Sequence, residues 1–171
     1  MDLYDVLKAR YSVRSYSARE VPPQSIDRIV AAFNDAPTAA NRQPFGLLLV
    51  TTAGRESGLQ RVYGRTWFTQ APLVAVVCTV PANAWVRADG KNYADVDAAI
   101  AFQTLVLAAT AEGLGTCWIG AFDPVAAREE FGLPEGVEPL AMTPLGYPSS
   151  IASQPKRLRK PIEQIVHRER W

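Results

Sequence analysis

The sequence predicts an α+β fold, a central sheet with helices on its faces. Three observations carry that prediction. Apolar runs at residues 47–51, 73–80, 116–121 and 139–146 read as strands, whereas residues 2–9, 26–33, 95–112 and 124–131 carry helical patterning. The two kinds of element follow neither a strict βαβ alternation nor an all-helical order. The chain of 171 residues, 48% hydrophobic and 20% charged, suits one compact domain with a substantial core. No internal repeat and no linker-like boundary divides residues 1–171, so they form a single domain, with residues 149–171 as a basic C-terminal extension.

In the first helix Leu3, Val6 and Leu7 fall at helical spacing behind Asp2, a side chain suited to capping. An extended segment follows at residues 10–16. Val21, Pro22 and Pro23 lead into the second helix, with Ile26, Ile29, Val30 and Phe33 on one face. Two prolines and Asn41 make residues 36–45 a loop, before the strand at 47–51. Residues 55–68 are ambiguous between helix and irregular structure. The valine-rich run 73–80 is a strand, and the polar stretch 81–94, with its Asp89-Gly90 turn, is a loop. Residues 95–112 make a long helix that is apolar nearly all round, which places it in a core or an oligomer interface. Gly113 ends it as a residue of left-handed conformation. Asp123 followed by Pro124 gives an N-cap and a proline at the first helical position.

Charge narrows the function classes. The net charge of +1 argues against a nucleic-acid or anionic-membrane partner. Six basic and two acidic residues lie in 155–171, which leaves twelve basic and fifteen acidic elsewhere. That basic segment is punctuated by Pro155 and Pro161 and followed by Ile162, Ile165, Val166 and Trp171, a pattern expected to dock. Cys78 and Cys117 sit in apolar runs as buried thiols, and His167 is the only histidine, so neither a metal site nor a Ser-His-Asp triad is expected. No signal peptide and no apolar stretch of comfortable bilayer length is read, so a cytoplasmic location is expected. Gly113-Leu-Gly115 lacks a third glycine and follows a helix, the reverse of a dinucleotide-binding turn.

Residues 10–16 carry the strongest chemical signal. Arg10, Ser12 and Arg14 alternate in an extended segment, so their side chains point to one side. Two guanidinium forks and a hydroxyl converging on one patch suit a phosphorylated ligand.

Four regions then agree in order and spacing. They are residues 10–14, residues 36–45 (Ala36, Pro37, Thr38, Ala39, Ala40, Asn41, Arg42, Gln43, Pro44, Phe45), residues 113–122, and the closing pair 145–148 and 155–161. Together they resemble the FMN-dependent nitroreductase family, over roughly residues 3–168. The resemblance implies a nitroreductase-like fold with a mostly antiparallel sheet, and a homodimer with the long helix at its interface. It also implies FMN as cofactor and NADH or NADPH as electron donor. It assigns Arg10 and Ser12 to the FMN phosphate and ribityl chain, and Arg157 and Arg159 to the phosphate. It places Arg14 beside the flavin ring, where a positive charge raises the reduction potential. Pro37, Thr38, Ala39 and Asn41 match a loop that the partner subunit brings to the ring. Ile119, Gly120 and Ala121 match backbone beside the ring, where an N–H can reach N5.

The implied reaction passes hydride from NAD(P)H through flavin N5 to an electron-poor small molecule, a nitroaromatic, quinone or similar compound, in a ping-pong cycle. Dehydrogenation, dehalogenation or flavin fragmentation on the same fold, or FMN binding without turnover, are the alternatives. The chain is short for the family. Only residues 81–94 fill the place where larger relatives cover the flavin, so Trp85, Arg87, Lys91 and Tyr93 are the candidates for substrate contact. The bland expectations are that Gly113 and Gly115 are structural and that Trp118 and Phe122 belong to the core.

Overall fold

The structure is a computed structural model and describes residues 1–171 apart from Ser153 and Pro155. The expectation that rests on Pro155 lies outside the described residues. Among the described residues there are five α-helices and three strands: α1 (Leu3–Ala9), α2 (Pro23–Asn34), β1 (Phe45–Thr51), α3 (Glu56–Val62), β2 (Leu73–Thr79), α4 (Ala94–Ala111), α5 (Pro124–Phe131) and β3 (Glu138–Leu145). Short 3-10 turns occur at Ala39–Asn41, Thr66–Thr69, Pro81–Asn83 and Ile162–Gln164.

The strands form an antiparallel sheet in the order β1-β2-β3, with Leu48 opposite Val76 and Ala75 opposite Thr143. Because successive strand residues face opposite sides, β2 supplies both layers of the core. Ala75 and Val77 pack with Ile29 and Phe33 of α2 and with Phe102 and Leu105 of α4. Val74, Val76 and Cys78 pack with Leu59 of α3, Ala127 of α5 and Phe68. Helices therefore cover both faces, and β2 is apolar throughout for that reason.

Local signals in the sequence set the helix ends. Asp2 caps α1 by accepting from the Asp5 N–H at 2.8 Å. Asp123 caps α5 through the Val125 and Ala126 N–H groups, with Pro124 at the first position. Gly113, at φ +76°, closes α4: its N–H bonds Thr110 O and the Leu114 N–H bonds Ala109 O. That is a Schellman ending. By length and composition α4 is the one helix among the described residues apolar enough to cross a membrane. Its packing against α2 and β2 is that of a core helix.

Two readings are corrected and one ambiguity is resolved. Residues 116–121 are not a strand in a continuous ladder but touch their neighbours through separate bridges, Thr116 with Ser12 and Ile119 with Met142. The ladder breaks because the Cys117 N–H bonds the Thr143 hydroxyl at 2.8 Å and Pro144 has no N–H to donate. The ambiguous 55–68 segment divides into α3 and the 3-10 turn. The apolar tail residues Ile162, Ile165, Val166 and Trp171 are exposed rather than docked.

Candidate functional site at the two ends of α4

Residues 10–14 leave α1 in an extended conformation that begins at Arg10. The Val13 N–H donates to Thr116 O at 2.8 Å, and Ser12 pairs with Thr116 in parallel. Val13 and Tyr16 point inward and are buried, while Arg10 and Ser12 are half-buried and Arg14 is exposed. The Tyr16 hydroxyl donates to Val13 O at 2.8 Å, and burial pushes its phenol well above the ordinary range. Gly115 is structural: a Cβ there would lie 2.8 Å from Val13.

Arg157 returns from the far end of the chain to this segment. Its guanidinium donates to Leu7 O at 2.9 Å, Lys8 O at 2.8 Å and Arg10 O. These are the open carbonyls at the negative end of α1, a site that favours a cation. Burial, and then the charges of Arg157 and Arg159, hold the Arg10 guanidinium below its ordinary range. Arg10 therefore lies in the field of two further cations, an arrangement that an anion would relieve.

The 117–121 segment lies against the same surface. Cys117 and Ile119 are buried with Trp118 exposed between them, and Gly120 and Ala121 are both exposed, so the alternation ends at Gly120. Burial raises the Cys117 thiol, while the Arg14 charge and a hydrogen bond from Ser12 oppose the rise. Arg14 and Ser12 thus lie beside Cys117. The Ile119 N–H is committed to Met142 O at 2.8 Å. A Cβ on Gly120 would meet nothing within 4 Å, so the space in front of it is open. Trp118 is 41% exposed, with its ring edge-on to Phe102 at 4.5 Å, and is not core as expected. Phe122 is half-buried against the α3/α5 layer.

The other predicted residues lie elsewhere. Thr38, Ala39 and Asn41 belong to a loop in which Ala40, Asn41 and Gln43 all have φ near +50°. The Thr38 hydroxyl accepts from the Gln43 N–H, and the Asn41 side chain accepts from the Gln43 amide at 2.8 Å. Pro37 at its start is exposed. The Ala39 N–H donates to Asp97 Oδ1 at 3.0 Å, which fastens the loop to the first turns of α4. Residues 85–93 form a small hairpin at the same end, with Val86 bridged to Asn92 and the Trp85 and Tyr93 rings edge-to-face at 4.9 Å. Arg87 is bound by both Asp89 oxygens, at 2.8 and 2.6 Å, and by the Tyr93 hydroxyl at 3.1 Å. Lys91 is exposed.

The predicted residues thus form two groups. Arg10 shares a cavity of about 170 Å³ with Thr110, Gly113 and Leu114 at the C-terminal end of α4. The 37–43 loop sits at Asp97 near its N-terminus. At about 1.5 Å per residue, Asp97 and Thr110 are roughly 20 Å apart. A larger cleft of about 510 Å³, lined by Glu20, Val21, Thr52 and Gln70 among others, contains none of the predicted residues.

Sequence reasoning missed two tethers. Gln70 Oε1 accepts from the Tyr16 N–H at 3.2 Å, and nothing local in the sequence marks it. Asp97 did leave a signal, a carboxylate one turn into a helix that is apolar nearly all round. Among the described residues no cluster of His, Cys, Asp and Glu could hold a metal ion.

Comparison with known proteins places this geometry. The model of the nitroreductase family matches residues 7–64 and 55–147. A Methanothermobacter thermautotrophicus protein named as an NADH dehydrogenase/NAD(P)H nitroreductase is 32% identical, over 100% of this chain and 88% of its own length. A Bacillus subtilis protein named FMN reductase [NAD(P)H] is 29% identical, over 94% of this chain and 70% of its own. The crystal structure of a nitroreductase family protein from Clostridium difficile 630 superimposes with a TM-score of 0.90 at 32% identity, each chain covered in full.

Proposed function

The chain belongs to the nitroreductase family, an NAD(P)H-dependent oxidoreductase with FMN as its cofactor, and from that premise we propose that it works as a homodimer whose two FMN sites are each built from both chains. The separation of the predicted groups along α4 carries this reading. One chain holds Arg10 at one end of the helix and the 37–43 loop at the other, with the 117–121 backbone between them, Trp118 lying against Phe102. Two chains with antiparallel α4 helices bring the loop of each to the arginines of the other. The exposed surface suits such a pairing, since Val96 and Ile100 of α4, Leu3, Tyr4 and Leu7 of α1, and Trp118 are all apolar and solvent-facing.

The residues present fit FMN. Arg10, with Arg157 seated beside it at the end of α1 and the charges of Arg157 and Arg159 acting on it, suits a phosphate. Ser12, beside them, offers a hydroxyl to the same ligand. Arg14, exposed at the other end of the segment, holds positive charge where electron uptake by the ring is favoured. With the Ile119 N–H taken by Met142, Gly120 and Ala121 are the backbone donors left for the ring edge. The chemistry FMN supplies when bound is two-electron transfer, hydride from NAD(P)H to N5 and then to an electron-poor small molecule in alternating half-reactions. At the hairpin Arg87 is neutralised by Asp89, so the Trp85 and Tyr93 rings are the acceptor-facing groups, suited to a flat nitroaromatic or quinone.

Arg10→Ala tests the phosphate assignment. Loss of a charge-assisted contact weakens FMN binding by about tenfold or more in a fluorescence titration. Unchanged affinity in the folded variant overturns the assignment.

A further inference from the structure

We propose that Asp97 is the positioning residue that holds the 37–43 loop in shape for the cofactor, an inference that rests on the dimeric FMN reading above. Asp97 is 1% exposed, in a helix whose other buried residues are Ala94, Ala98, Ala101, Phe102, Leu105, Val106, Ala109 and Thr110. A sealed carboxylate is costly there unless its bonds compensate. Its place in the first turns of α4 gives it the positive end of the helix dipole. One oxygen accepts the Ala39 N–H, and the other has no partner among the described residues.

The loop needs such a tether. Three non-glycine residues, Ala40, Asn41 and Gln43, hold left-handed conformations, which persist only where the surroundings enforce them. The loop's remaining hydrogen bonds are internal or lie at its junctions with α2 and β1. Among the described residues, Asp97 supplies the one hydrogen bond that reaches it from a distant part of the chain. The Asp97 N–H donates to Tyr93 O at 2.9 Å, the first backbone bond of α4. The Asp97 side chain therefore ties the loop that would meet the flavin ring to the helical turn at which the hairpin ends.

The test compares Asp97→Ala and Asp97→Asn with wild type by FMN titration, flavin visible circular dichroism and amide hydrogen exchange over residues 37–43. Asp97→Ala loses the tether, so FMN affinity falls by about tenfold or more and the bound-flavin spectrum changes. Asp97→Asn keeps an oxygen for the Ala39 N–H without the charge, so affinity falls by about two- to fivefold and loop exchange rises moderately. Leu105→Ala, fully buried in the same helix, lowers thermal stability while leaving affinity and spectrum unchanged. An Asp97→Ala protein with wild-type FMN affinity overturns the proposal. If that variant does not fold, faster loop exchange in Asp97→Asn with unchanged affinity overturns it equally. Wild-type protein that takes up no FMN refutes the cofactor reading instead, so the two failures are distinct.

Discussion

Replacing Gly115 with alanine puts a Cβ 2.8 Å from Val13 Cγ2 and 2.9 Å from Val13 Cβ, about 0.6 Å inside the 3.4 Å at which ordinary contact begins. Val13 cannot turn away, because it is β-branched and 1% exposed. Its N–H is also bound to Thr116 O at 2.8 Å, so relief requires the 12–14 backbone to move off residues 115–116. Overpacking of this kind costs about 2 kcal/mol. In a chain of this length that lowers the melting temperature by roughly 4–8 °C. Circular-dichroism melts of Gly115→Ala, Val13→Ala and the double variant form a cycle. Trimming Val13 opens the space that the new methyl needs, so the double variant is more stable than the sum of the singles by about 1 kcal/mol or more. Additive singles, or a Gly115→Ala protein that melts with wild type, would refute the claim that these two segments press together here.

Two further outcomes follow from the surface. Ile100→Asp sets an unpaired carboxylate on the solvent-facing side of α4, twice in a symmetric pair, so the variant elutes as a monomer and retains little FMN; a dimer with full flavin would remove the helix from the interface. Glu112 is depressed to about 2 by the Arg28 guanidinium and the Ser25 hydroxyl, so its contribution is complete above the ordinary carboxylate value of 4.5 and is lost as pH falls from there toward 2. Glu112→Gln flattens stability against pH across that window, and an unchanged acid limb in denaturant titrations would show that the pair contributes nothing.

Much of the fold was legible because its causes are local. The Asp2 and Asp123 caps, Pro124, Gly113 and the apolar runs of β2 and α4 each act within a turn or a strand of themselves, and each element is found within two residues of its expected place. The 116–121 segment misled because its period is that of a strand while its hydrogen bonds go to a side chain and to separate partners. Trp118 and the apolar tail misled for a related reason. Hydrophobicity says that a residue seeks cover, and the cover here is not supplied by the same chain.

The sequence by itself pointed to a phosphate ligand, since the alternation in residues 10–14 is written in nearest neighbours, and its resemblance to a family pointed to a flat ring beside residues 119–121. Only the tertiary structure decided how these residues are grouped. It closed Arg157 onto the end of α1 beside Arg10, buried Asp97 beneath the 37–43 loop, and set the two halves of the candidate site near opposite ends of one helix. Periodicity records which side of an element must be covered. What covers it depends on contacts between residues more than fifty positions apart, and these follow from the path of the whole chain.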